Sequence, residues 1–160
     1  MVRGTTKRLT AAAMLLSILA ISGTLSAQPA DGNTVLGPGL YVFQTRIDHA
    51  TCGDADRTGE VTSYYAAVDG IPYAREMRMT LINSRFWPVW TLTVTPSNVV
   101  IGDGQQAEVT GPNRGTSHFE VTYANGRFTG RGQREYGRVV DGNAVRCRVS
   151  YEALLLRIDR

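Results

Sequence analysis

The chain has 160 residues with 17 basic and 14 acidic side chains, but three of its cations, Arg3, Lys7 and Arg8, precede an apolar run from Leu9 to about Ile21. With the small residues Gly23–Ala27 this reads as a secretory signal cut after Ala27, and the run falls short of the ~20 apolar residues needed to span a membrane. Without the signal, arginines and acids are equal in number, so a nucleic-acid partner held by a basic face is excluded. Gln28 stands where a lipoprotein signal requires cysteine, and no membrane anchor is expected.

Residues 28–38 are polar and rich in Gly and Pro, a flexible lead-in to one domain over 39–160. From Gly39 to about Thr51, Tyr41, Phe43, Thr45 and Ile47 alternate with Gln44, Arg46 and Asp48, as in a strand with one buried and one wet face. Cys52 closes that strand. Cys52 and Cys147 are the only cysteines, so an oxidising compartment permits one intramolecular disulfide, tying the first strand to the last. Gly53–Glu60 opens like a calcium loop, but the position that requires a bidentate glutamate falls at Tyr65. The segment therefore reads as a solvated turn in which Arg57 balances Asp54 or Asp56.

Val61–Val68 and Tyr73–Ile82 are strands joined at Asp69-Gly70, and Tyr73, Arg75, Met77, Met79 and Leu81 share a face. Phe86–Val94 holds both tryptophans, with Trp90, Leu92 and Val94 inward and Pro88 confined to the strand's start. A Pro96–Asn98 turn, a strand over Val99–Ile101, a Gly102-Asp103-Gly104 turn and a polar strand over Gln105–Thr110 follow. Asn125-Gly126 predicts a two-residue hairpin with Phe119 opposite Gly132, Val121 opposite Gly130, Tyr123 opposite Phe128 and Glu120 opposite Arg131. Asp141-Gly142 repeats the device, setting Glu135 against Arg148, Arg131 against Glu152, and Cys147 beside Tyr136 on an inner face shared with Val145, Val149 and Tyr151. Ala153–Leu156 breaks the alternation and predicts a strand buried on both sides, or a bulge.

Eight or nine short antiparallel strands in sequential hairpins predict an all-β meander closing into a barrel, with a β-sandwich as the alternative. Gly39-Leu40-Tyr41 opening the first strand and Arg157 near the end of the last resemble the lipocalin group. That resemblance implies a secreted eight-stranded barrel in which Arg157 lies across Tyr41, where the family carries tryptophan, and it leaves the ligand open.

His49 and His118 lack any zinc-ligand spacing, no nucleophile motif is present, and bonded cysteines cannot attack, so no catalytic residue, metal or cofactor is expected. Arg134 falls by parity on the face of Phe128, Tyr136 and Tyr151. A charge there must be paired with an acid, sit at the barrel mouth, or meet a ligand's carboxylate or phosphate. Arg75 poses the same question. The reading is a secreted or periplasmic, non-enzymatic module that binds a small apolar or amphipathic ligand through Trp90, Met77, Met79, Tyr136 and Arg134. A protein partner is the alternative, for example a secreted hydrolase inhibited through the Asn125-Gly126 tip or the Asp54–Glu60 loop. An enzyme whose site carries no known motif is a third.

Overall fold

Alternating apolar and polar side chains give eight strands: β1 Gly39–Ala50, β2 Val61–Asp69, β3 Glu76–Leu81, β4 Val89–Val94, β5 Val99–Gln105, β6 Thr116–Ala124, β7 Arg127–Val140 and β8 Asn143–Arg157. This computed structural model describes residues 36–72 and 74–159. The signal segment 1–27, the lead-in up to residue 35 and Tyr73 lie outside the described residues. Each strand pairs antiparallel with the next and β8 pairs with β1, so the meander is a closed barrel. Closure leaves no sheet edge among these strands, which is how a barrel avoids unpaired backbone.

The inward faces form one core. Phe43, Trp90 and Phe119 interlock across the lumen, with ring centroids 5.0 Å (Phe43–Phe119), 5.4 Å (Trp90–Phe119) and 5.7 Å (Phe43–Trp90) apart. Met77, Met79, Leu92 and Leu155 pack around them, all buried. Burying each such side chain contributes about 1.5–3 kcal/mol.

Those rings explain one difference from the sequence reading. Gly102-Asp103-Gly104 is no turn but lies inside β5, where Gly102 faces Phe119 and Gly104 faces Trp90 across the ladders. A Cβ at Gly104 would stand 2.7 Å from the Trp90 ring, and one at Gly102 would overlap the Phe119 ring still more closely. The glycines are there to admit the rings. Because β5 runs on to Gln105, residues 106–115 become its connection to β6, with a short 3-10 turn at Gly111–Asn113 in place of the expected polar strand. Gly102→Ala is expected to lower stability by about 1–3 kcal/mol, the usual cost of overpacking. A urea midpoint equal to that of the unaltered protein would refute this.

Both predicted two-residue hairpins form. Asn125 and Gly126 have φ of 53° and 80°, and Asp141 and Gly142 have 50° and 79°. Two successive left-handed residues are what a type I′ turn requires. Phe119 faces Gly132, Glu120 faces Arg131, Arg131 faces Glu152 and Cys147 faces Tyr136, in the expected register. Asp69-Gly70 behaves differently. Val68 pairs with Met79 and Asp69 with Arg78, so the loop into β3 is wider than a two-residue turn. Pro72 within it has no N–H to extend the ladder. Arg75 falls in that loop and is exposed, so it poses no buried-charge problem.

Two further expectations change along β8. Ala153–Leu156 keeps regular alternation, with Ala153 and Leu155 buried, Leu154 half-buried and Leu156 exposed. Leu156 pairs with Val42, and Val42 with Tyr65, so an apolar stripe runs along the outer wall. Val145 is exposed because β7 and β8 run on past the other strands, and no opposite wall remains to cover its side chain.

The two ends of the barrel differ. At one, the Arg157 guanidinium lies over the Tyr41 ring, 5.9 Å from its centroid, and donates to the Pro38 carbonyl at 3.0 Å. The Tyr41 hydroxyl donates to the Gly37 carbonyl at 2.8 Å, and Leu36, at the close of the segment read as a lead-in, is buried in the core. This end is closed. The other carries the Cys52–Cys147 disulfide, which joins residues 95 apart in sequence.

Candidate functional site

Towards the disulfide end the lumen turns polar. Thr45 and Ser117 are buried there, and the Tyr151 hydroxyl lies 3.0 Å from Ser117 Oγ and donates to the His118 carbonyl at 3.1 Å. Burial pushes the Tyr151 pKa up to about 12, so this hydroxyl stays neutral and serves as a hydrogen-bonding strut. The void left among Phe43, Trp87, Trp90 and Tyr151 is only about 10 Å³, no more than one water's worth. The lumen is full.

Arg134 enters this polar layer from β7, and its partner comes from the turn after β1. Arg134 Nη2 donates to Asp56 Oδ1 at 2.5 Å, and the Tyr136 hydroxyl donates to Asp56 Oδ2. The Arg134 and Asp56 side chains are only 17% and 9% exposed. Arg134 is thus both paired with an acid and placed at the barrel mouth. Burial first, and then the bond to the Asp56 carboxylate, push the Tyr136 pKa up to about 12. The Gly53–Glu60 turn is therefore not simply solvated. Asp56 is buried against Arg134, and Asp54 meets Arg138 at 2.9 Å, so Arg57 balances neither. The N–H groups of Ala55 and Asp56 donate to the Cys52 carbonyl at 2.9 and 3.1 Å, so the disulfide anchors the turn that delivers Asp56.

Above this pair opens a cavity of about 570 Å³. Tyr64, Phe86, Trp87 and Tyr136 supply its aromatic surface, and Asn83, Gln106 and Glu60 its polar groups. The connection from β3 to β4 holds Phe86 and Trp87 in place. Trp87 N–H donates to Ser84 Oγ at 3.1 Å, its carbonyl accepts from Trp90 Nε1 at 3.0 Å, and the Phe86 carbonyl accepts from Ala107 N–H at 2.8 Å. Phe86 is 54% exposed, an apolar ring left facing solvent.

Of the residues singled out from sequence, Arg134 and Tyr136 line this cavity, whereas Trp90, Met77 and Met79 are buried in the core beneath it. Tyr64, Phe86, Trp87 and Asp56 also line it, and none of them is among the ligand residues expected from sequence. One signal lies in Arg134 itself, whose inward parity calls for an acid, a place at the barrel mouth or a ligand.

His118 stands apart on the outer wall, with Nδ1 2.8 Å from Asp103 and Nε2 3.5 Å from Glu120. The hydrogen bond to Asp103 is the main cause of its raised pKa. A raised folded value makes this contribution fully present below the unfolded value near 6.5 and lost as pH rises through the folded value. His118→Asn is expected to flatten the pH dependence of stability in that window, and an NMR-titrated His118 pKa at or below 6.5 would refute the assignment. Among the described residues no three His, Cys, Asp or Glu side chains are grouped to hold a metal, and no helix is long and apolar enough to cross a membrane.

Fold and site together define a closed eight-stranded antiparallel barrel with a filled lumen and an aromatic-lined cavity at its rim. The chain matches no family model, no curated protein and no solved structure.

Proposed function

We propose that this protein is a secreted or periplasmic, non-enzymatic binding module that takes a small amphipathic ligand at the rim of its barrel. The observation that carries this reading is the rim cavity, about 570 Å³, over a lumen with almost no free space. Small-molecule sites run to roughly 300–1,000 Å³ and combine apolar walls with a few polar groups. Export is supported by the signal pattern over 1–27 and by a disulfide, a bond that persists in oxidising compartments. Kinship to the lipocalin group is supported by the eight-stranded meander and by Arg157 lying over Tyr41.

Native mass spectrometry of the protein taken from its own periplasm or medium is expected to show a retained small molecule that denaturation releases. A bare mass would count against the reading and favour a second, a protein-binding module such as an inhibitor of a secreted hydrolase. The outer apolar stripe, with Tyr65 and Leu156 exposed on either side of a half-buried Val42, supports that second role, because apolar surface left to solvent marks protein contacts.

A further inference from the structure

We infer that the ligand of the rim cavity is a neutral carbohydrate, held with the C–H face of a sugar ring against Phe86 and Trp87. This rests on the rim cavity being the binding site, and three features narrow the class.

Depth comes first. An acyl chain or a flat polycyclic lipid is held by inserting its apolar length into a slot. Below Trp87 there is no slot, only about 10 Å³ among Phe43, Trp90 and Tyr151. What binds must lie across the rim.

Charge comes second. The cations that line the cavity are Arg134 and Arg85. Asp56 takes Arg134, and Glu108 takes Arg85 at 3.1 Å. Glu60 adds a carboxylate to the lining, and it accepts a long hydrogen bond, 3.5 Å from the Arg57 N–H. A carboxylate or phosphate ligand would have to compete with Asp56 or Glu108 for these arginines and would face this acid. A ligand cation stacked there would be repelled by the Arg85 guanidinium, which lies over the Phe86 ring, 5.8 Å from its centroid, whereas a neutral ring meets no such repulsion.

The third feature is what remains: aromatic faces edged by Asn83, Gln106 and Glu60. A primary amide donates and accepts in one plane, and a carboxylate accepts at two oxygens. Sugar hydroxyls donate and accept together, and the ring's apolar face packs flat on an aromatic side chain. The amides are also held still. Gln106 Oε1 accepts from Gly115 N–H at 3.2 Å, and Asn83 Oδ1 accepts from Tyr65 N–H at 3.0 Å. Fixed amides and a fixed Trp87 lower the ordering cost of binding a flexible, hydrated ligand.

The test titrates the intact, disulfide-bonded protein with neutral trisaccharides of different linkage (chitotriose, cellotriose, maltotriose and mannotriose). Palmitate and benzoate stand for the excluded classes, and the indole N–H resonances of Trp87 and Trp90 are followed. At least one trisaccharide is expected to shift the Trp87 signal saturably, and Phe86→Ala, a change at an exposed side chain, is expected to weaken it about tenfold or more. Saccharide binding indifferent to Phe86→Ala would overturn the inference, because the sugar would then lie elsewhere. If palmitate or benzoate shifts Trp87 while every saccharide fails, the carbohydrate class is wrong and the rim cavity stands as a site. If no probe moves Trp87, the inference and the rim-cavity reading fall together.

Discussion

Asp56→Ala is expected to lower the unfolding free energy by about 3–5 kcal/mol, the loss typical of removing one partner from a buried ion pair. The side chain deleted is small and lies in a connecting turn, so its own apolar burial contributes little. The effect comes from what it leaves behind: Arg134, 17% exposed, without its counter-charge, and Tyr136 without its acceptor. The double change Asp56→Ala with Arg134→Met is expected to recover most of the loss, because it removes the stranded charge as well. Urea unfolding of the single and double variants decides the matter. A loss under about 1 kcal/mol for Asp56→Ala, or a double variant no better than the single, would mean that water reaches the pair freely.

Replacing both cysteines, Cys52→Ala with Cys147→Ala, is expected to remove about 2–5 kcal/mol. The upper part of that range applies because the bond closes a loop of 95 residues, whose freedom in the unfolded chain is large. A local consequence accompanies the global one. The Asp56 turn hangs from the Cys52 carbonyl through two N–H bonds, so releasing Cys52 loosens the acid that holds Arg134. Asp56→Ala should therefore cost less in the cysteine-free protein than in the bonded one, a coupling expected of groups that share partners. Guanidinium unfolding of the four variants measures it. Strictly additive losses would show that the disulfide stabilises the barrel without positioning the turn.

What could be read from the chain depended on how local its causes were. The β6–β7–β8 registers were legible because Asn125-Gly126 and Asp141-Gly142 each fix a hairpin within a few residues, and because Phe119 facing Gly132 and Glu120 facing Arg131 agree with that register on both faces. Gly102 and Gly104 misled because glycine also punctuates turns. Here its role is set by Phe119 and Trp90 on neighbouring strands, which no local pattern shows. Asp56 was hidden for a similar reason. Beside Gly53, Asp54 and Arg57 it looks solvated, and only the fold brings to it Arg134, 78 positions away in sequence. The rim aromatics Phe86 and Trp87 were read as the start of a strand, yet β4 begins at Val89, which frees both for the connection that overhangs the mouth.

The closed end has a bearing on how the molecule can be held. Ile158 N–H donates to the Leu40 carbonyl, and Tyr41 pairs with Arg157, so the chain enters and leaves the barrel side by side. The rim lies towards the other end of β1, where the Cys52 turn follows it. A fusion partner, linker or solid support attached near residue 36 or residue 159 would thus sit on the opposite pole from Phe86 and Trp87. Orientation is built into the topology: gripped by either end of the described chain, the cup points its mouth away from whatever grips it.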